Sequence, residues 1–313
     1  MTLLLILVTV TSAFAQTGGR IAFIRNNEVW TMNADGSNQK ALVAGIQNAK
    51  GKLSWEPGNK RIAFARNGSV AVKYPDGGGG QHATYDLFFA FVDSTNNFWM
   101  GFTETLGAQN PDWSADGSKI AFTYDVTSNT ANSTWPRYRI GFYDVKSRVV
   151  SELDMPKSDN PLFAMGPSLS PDGTRLAFVL AEFTGKQLVP KGIVVTSSTK
   201  ITQTAEQLLA EAKMLSGGTA PSWSPDGNWI AYISNDMKNP GILAVRPDYT
   251  GKKELYIPAA GIAIQGSAPS WSPDSRRLAF GTANGSIYTV NADGTGAAQI
   301  SGPGSDAFPA WSK

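Results

Sequence analysis

The chain has no cysteine and only one histidine, His82, in 313 residues. The first absence excludes disulfides, thiol nucleophiles and thiolate-bound metals together. The second removes the usual histidine cluster of a metal site, and His82, in a Gly-rich turn after Asp76, reads as a solvated loop residue. No Gly-x-Ser-x-Gly elbow is present, so a serine-hydrolase triad lacks both its turn and a convincing base. Lys and Arg number 27 against 25 Asp and Glu, with no basic run to mark a nucleic-acid partner. The Gly77-Gly-Gly-Gly80 run is not followed by Lys-Ser/Thr, so it is a hairpin loop in this reading and not a phosphate cradle. These absences point away from an enzyme, and they call for no cofactor and no metal.

Long apolar runs are scarce too. The first ten residues, Met1-Thr-Leu-Leu-Leu-Ile-Leu-Val-Thr-Val10, are uncharged but too short to span a bilayer. Ala13-Phe-Ala15 then supplies the small residues of a secretory cleavage site. The expectation is a signal peptide over residues 1–15, a mature chain from Gln16, and a periplasmic or extracellular protein with no membrane span after cleavage. One domain over residues 16–313 is expected, because a single repeat fills it without a linker.

That repeat is clearest in Pro221-Ser-Trp-Ser-Pro-Asp-Gly-Asn-Trp-Ile-Ala-Tyr232. It returns as Ser54-Trp-Glu-Pro-Gly-Asn-Lys-Arg-Ile-Ala-Phe64, Asp112-Trp-Ser-Ala-Asp-Gly-Ser-Lys-Ile-Ala-Phe122, Ser168-Leu-Ser-Pro-Asp-Gly-Thr-Arg-Leu-Ala-Phe178 and Ser270-Trp-Ser-Pro-Asp-Ser-Arg-Arg-Leu-Ala-Phe280. Each copy reads as two strands around a tight turn, with Pro presetting one corner and Asp and Gly suiting the next. A sixth copy is divided between the chain ends: Phe308-Pro-Ala-Trp-Ser-Lys313 stops where Gly19-Arg-Ile-Ala-Phe-Ile-Arg25 would continue. From Ile21 through Ile62, Ile120, Leu176 and Ile230 to Leu278 the steps are 41, 58, 56, 54 and 48 residues, each enough for four short strands. The pattern predicts an all-β, six-bladed propeller closed by pairing of its terminal strands. Surplus strand signal between Ser69 and Phe102 leaves a seventh blade as the alternative to one embellished blade.

The Trp-Ser-Pro-Asp-Gly-x-x-Ile-Ala-Phe repeats, the Asn-Ala-Asp-Gly turns after Met32 and Val290 and the divided last blade resemble the propeller of TolB-type periplasmic proteins over roughly residues 18 to 313. The resemblance implies the propeller without the mixed α/β domain that precedes it in TolB. It further implies a non-catalytic protein that binds a protein or peptide, with envelope lipoproteins as the partner class.

Read from the residues, Asp116, Asp172, Asp226 and Asp274 are turn residues, since Gly or Ser follows each directly, unlike a sialidase Asp-box or a calcium loop. Trp55, Trp113, Trp223, Trp271 and Trp311, with Leu169 in the remaining place, hold one register in every copy and so read as inter-blade core. If they lie on the innermost strands, the Pro-Asp-Gly turns share one face and unequal loops share the other. Those loops read as short at Arg25–Asn27, Arg66–Gly68 and Ala283–Gly285, and long at Asp125–Pro136 and Ala181–Gln187. Variation on a rigid scaffold marks Trp135, Tyr138, Phe183 and Lys186 as candidate partner-binding residues. Asn48, Lys52, Asn110, Asp159, Gln265 and Asp306 are the candidates for the channel mouth. A monomer binding a protein or peptide is the first expectation. An enzyme or carbohydrate-binding protein with a polar site at the channel mouth, and a structural spacer, are the alternatives.

Overall fold

The structure, a computed structural model, describes residues 19–42, 48–73, 79–92, 98–100, 107–125, 138–157, 161–185, 187–236, 240–258, 263–265 and 268–313. The signal-peptide expectation therefore lies outside the described residues. Among the described residues, twenty-three strands form six antiparallel sheets around a central channel. Strands β1 (Arg20–Arg25), β2 (Glu28–Asn33) and β3 (Lys40–Ala41) open the chain. A complete blade follows in β4 (Ala49–Trp55), β5 (Arg61–Lys73), β6 (Gly79–Phe91) and β7 (Phe98–Met100). The next is β8 (Gln109–Trp113), β9 (Lys119–Asp125), β10 (Tyr138–Asp144) and β11 (Val150–Glu152). The third has β12 (Leu162–Leu169), β13 (Arg175–Phe183) and β14 (Leu188–Ser197), and then helix α1 (Ala205–Met214). The fourth holds β15 (Gly218–Trp223), β16 (Ile230–Ser234), β17 (Gly241–Val245) and β18 (Lys253–Tyr256). The fifth holds β19 (Ser270–Trp271), β20 (Arg277–Gly281), β21 (Ile287–Asn291) and β22 (Ala298–Gln299). Last comes β23 (Ala307–Trp311), which pairs with β1 to give the order β23-β1-β2-β3. Six blades and terminal closure are thus the architecture.

The strand-rich stretch after Ser69 makes one blade, because β4 to β7 form a single sheet. It also corrects an expectation. The chain does not turn at Arg66–Gly68; β5 runs on to Lys73 and pairs with β6 from Arg61↔Phe91 to Lys73↔Gly79. The run Ser69-Val-Ala-Val-Lys73 suits a strand. Ala181–Gln187 is likewise less of a loop than it reads. Residues through Phe183 belong to β13, the Thr184 amide donates to the Gln187 carbonyl at 3.1 Å, and β14 begins at Leu188.

The Ile-Ala-Phe signature has a packing cause. Side chains alternate across a strand, and each second strand has a blade on both sides. Ile62 and Phe64 enter one inter-blade core, whereas Ala63 and Ala65 enter the next, beside Trp113, Ile120 and Phe122. The same division puts Ala279 with Trp311, Ile21 and Phe23, and Ala22 with Trp55, Ile62 and Phe64. A small residue on one blade makes room for the large residues of its neighbour, so large-small-large is the sequence record of blade stacking.

The motif aromatics are buried, from Trp55 at 1% exposure to Trp223 at 8%. Hydrogen bonds join the innermost strands in sequence around the ring. Trp113 N–H donates to Ser54 Oγ, Leu169 N–H to Asp112 Oδ2 and Trp223 N–H to Ser168 Oγ. Trp271 Nε1 donates to the Ser222 carbonyl, Trp311 N–H to Ser270 Oγ, and Trp55 Nε1 to the Ala310 carbonyl. In the third blade the outer strand is replaced by α1, whose Thr204 and Gln207 form a reciprocal capping box and whose Ala205, Leu208 and Ala212 are buried. No helix among the described residues is long and apolar enough to cross a membrane.

Candidate functional site

The innermost strands carry a repeated irregularity that shapes the channel. Pairing slips between Lys50 and Ser54, Gln109 and Asp112, Met165 and Ser168, and Thr219 and Ser222. At each slip a residue takes positive φ: Gly51 at 74°, Asn110 at 53°, Gly166 at 61° and Ala220 at 52°, and Phe308 at 54° does so in β23. Asn and Gly accept this region readily, but Ala and above all Phe are strained there. Bulges on an edge strand re-aim side chains and end regular pairing, and here they face the axis.

Above the bulges, toward the loop face, lie two cavities. One of about 340 Å³ is lined by Lys52, Asn110, Met165, Thr219, Asn235 and Phe308 among others. The other, about 590 Å³, lies between β23 and the first two complete blades and shares Asn110 and Phe308. Apolar walls with a few polar groups are the usual make-up of a binding pocket. Lys52 is the charged side chain in the wall of the smaller one. Below the bulges, toward the Pro-Asp-Gly turns, a third cavity of about 310 Å³ is enclosed by all six innermost strands, and Lys52 reaches its wall as well. Among the described residues, no group of three or more His, Asp or Glu is arranged to hold a metal.

Lys52 is held at this waist by Asp112 Oδ1 at 2.7 Å and the Pro167 carbonyl at 3.0 Å. Asn110 lines both loop-side cavities. The structure does not bring the rest of the mouth candidates to the same place. Asn48 is exposed with φ 71°, and its carbonyl accepts the Asn67 N–H at 3.0 Å. Gln265 is exposed, with its N–H on the Gly281 carbonyl at 3.3 Å. Asp306 is 2% exposed and receives Arg25 Nε at 2.6 Å and Nη2 at 2.7 Å. The guanidinium also lies 5.0 Å from the Phe23 ring centre and 4.8 Å from that of Trp30. The carboxylate raises the pKa of Arg25, its hydrogen bond being the main cause. Asp306 is thus engaged in closing the ring. Asp159 lies outside the described residues.

Among the rim candidates, Tyr138 begins β10 opposite Asp125 and Phe183 ends β13 opposite Leu188; both are half-buried. They stand at the loop-face ends of adjacent blades. Trp135 and Lys186 lie outside the described residues.

Sequence reasoning missed Phe308, Asn235 and Met165. Nothing unites the bulge residues themselves, but proline follows four of them directly, as Pro111, Pro167, Pro221 and Pro309. Proline inside a sheet is confined to edges and bulges, so it was the available signal. A second missed regularity is a cation before the aliphatic-Ala-aromatic strand in five of the six copies, Trp229 standing in the remaining one. Arg20, Arg61, Arg175 and Arg277 lie 5.4, 5.3, 5.5 and 4.9 Å from the ring centres of Trp55, Trp113, Trp223 and Trp311 on the following blade. Where the next blade has Leu169, the cation is Lys119, placed over Phe142 at 5.5 Å.

The family model of the dipeptidyl peptidase IV N-terminal region matches residues 114–260. No curated protein sequence matches the chain. Among solved structures, TolB from Acinetobacter baumannii is 18% identical with a TM-score of 0.60, over 94% of this chain and 66% of that one. The chain therefore spans somewhat less than two thirds of that protein's length. A putative TolB from Agrobacterium tumefaciens is 14% identical with a TM-score of 0.62, over 93% of this chain and 90% of that one. A chain of a nidogen/laminin complex is 9% identical with a TM-score of 0.61, covering 94% and 98%. At these identities the likeness is one of fold: this chain is a TolB-like six-bladed propeller.

Proposed function

We propose that the chain is an exported, non-catalytic propeller that captures a segment of a protein partner at the loop-face mouth of its channel. The observation that carries this reading is the ring of bulges, which opens that mouth into two mostly apolar cavities joined at Asn110 and Phe308. Strain at Phe308 and Ala220 supports it, because residues held in sparsely populated backbone regions concentrate at ligand sites. The protruding β5–β6 and β13–β14 hairpins stand around the mouth and extend the surface available to a partner. Tyr138 and Phe183 are the described aromatic anchors of the rim, with Trp135 and Lys186 as further contacts.

An envelope lipoprotein is the first partner to test, as the TolB-like fold suggests. The neighbour whose structure is a complex with laminin is a further case of this fold beside a protein partner. A hydrolase or lyase at the mouth would call for positioned acids and bases, and the charged group in the smaller cavity's described wall is Lys52. The leader over residues 1–15 belongs to the same proposal.

The test is capture from an envelope extract, identification of the captured protein, and titration of that purified partner. Phe183→Ala and Asn110→Ala should each weaken binding at least about tenfold, a 1.4 kcal/mol step. Asp172→Asn on the turn face should leave it within about threefold. Equal affinity of all three variants and the wild type would place the partner elsewhere and end the proposal.

A further inference from the structure

The cavity on the turn side plays no part in the loop-face reading, yet it has the features of a separate site. Its walls are largely indole edges and prolines, including Trp55, Trp113, Pro171 and Pro225, and three charged side chains reach it: Lys52, Asp112 and Lys313. Two of these neutralise each other. Asp112 accepts Lys52 Nζ on Oδ1 at 2.7 Å and the Leu169 N–H on Oδ2 at 2.7 Å, so both its oxygens are occupied.

Lys313 is the third. Its backbone is tied to Asn59, which accepts the Lys313 N–H on Oδ1 at 2.9 Å and donates Nδ2–H to its main-chain oxygen at 2.6 Å. The residue as a whole is exposed at the rim, while its ammonium is enclosed and donates to the Trp113 carbonyl. An ammonium has three donors, so this bond leaves two N–H groups facing a largely apolar enclosure. Desolvation lowers the Lys313 pKa; Asp112 opposes that shift and Lys52 reinforces it. An enclosed charge of this kind is costly unless a counter-charge meets it.

From this geometry we infer that the turn-side cavity binds a small monocarboxylate with an apolar body, its carboxylate on Lys313 Nζ and its body among the indoles and prolines. One ammonium beside a Lys52–Asp112 pair that is already neutral matches a monoanion better than a phosphate dianion. The volume of about 310 Å³ is room for about ten water-sized groups at about 30 Å³ each, the size of an aryl- or alkyl-propionate. The carboxylate belongs either to a free acid or to the C-terminus of a peptide ending in an apolar residue.

The experiment is calorimetric titration of the whole protein with 3-phenylpropionate, its neutral amide, and a short peptide ending in Phe in free-acid and amidated forms. One of the two acids should bind saturably at one site, with a Kd of about 1 mM or tighter, and its amide should bind at least about tenfold more weakly. Which acid binds identifies the source of the carboxylate. Lys313→Met should abolish the preference for acid over amide while keeping the wild-type melting temperature to within a few degrees. Should that variant melt early, the wild type alone still decides, by whether binding takes up protons when measured in buffers of different ionisation enthalpy. Equal binding of acid and amide, a preference that survives Lys313→Met, or no saturation by any ligand would overturn the inference. Loop-face capture is measured separately, so either result leaves the other standing.

Discussion

The aspartate of each Ser-x-Asp turn is a folding device, and its chemistry can be read at single-residue resolution. At the second complete blade, Ser114 Oγ donates to Asp116 Oδ1 at 2.6 Å, while Asp116 accepts the Ser118 amide at 3.0 Å. Ser114 Oγ also accepts the Lys119 N–H at 3.0 Å, so one hydroxyl bridges both sides of the turn. The arrangement recurs at Ser170 with Asp172, Ser224 with Asp226 and Ser272 with Asp274. The Ser114 bond first, then the Ser118 amide and hydroxyl, lower the Asp116 pKa to about 2. Asp172 is lowered for the same reasons; at Asp226 and Asp274 burial opposes the shift, and the serine and amide bonds outweigh it. A depressed carboxyl stabilises the fold fully above its unfolded value near 3.9, and the contribution is lost as pH falls toward the folded value. Urea midpoints should therefore be level from pH 7 to about 5 and drop steeply from about pH 4 to 2. Asp116→Asn keeps an acceptor but cannot titrate, so it should flatten part of that drop. A slope unchanged by the substitution would mean that other groups carry the acid transition.

At the scale of elements, the third blade has three strands among the described residues, and its outer place is not taken by a fourth. Helix α1 takes that place, and its C-terminal turn comes so close to β14 that a Cβ on Gly192 would sit 2.1 Å from the Ala212 carbonyl and 2.6 Å from that of Leu215. Gly192 also has φ 144°, a region side chains avoid. Gly192→Ala should cost about 2 kcal/mol or more, from overpacking and backbone strain together. Gly302→Ala, with nothing within 4 Å of the added carbon, should shift stability by less than about 0.5 kcal/mol. Denaturant melts of the two variants check the helix docking; equal stabilities would refute it.

For the whole molecule the decisive contact is between the ends of the chain. Ile21 pairs with Trp311 and Ala22 with Ala310, while Arg25 grips Asp306 across 281 residues of sequence. Trp311 is 3% exposed and packs with Ile21, Phe23 and Ala279. Trp311→Ala should cost roughly 3–5 kcal/mol, the range for truncating a buried tryptophan. Removing Phe308 to Lys313 should go further, because it bares the β1 edge and takes the Ala310 carbonyl from Trp55 Nε1. Wild-type midpoints for both variants would rule out closure as a source of stability.

Blade number, closure and the sidedness of the turns were legible in the sequence because each depends on a short repeated pattern: a local turn chemistry, a large-small-large strand and a divided copy at the ends. The burial of the motif tryptophans was legible for the same reason, since one register imposes one environment. The channel was another matter. Asp306 reads as a polar rim residue until Arg25, which lies 281 positions away, is brought against it. Phe183 reads as a loop residue until β14 supplies the pairing that extends β13. Lys313 looks like a solvated end, and only the meeting of six innermost strands encloses its ammonium. Local patterns decide which elements form and how they stack. The polar groups left unengaged on the axis are decided by partners brought together in space, which no window of sequence contains.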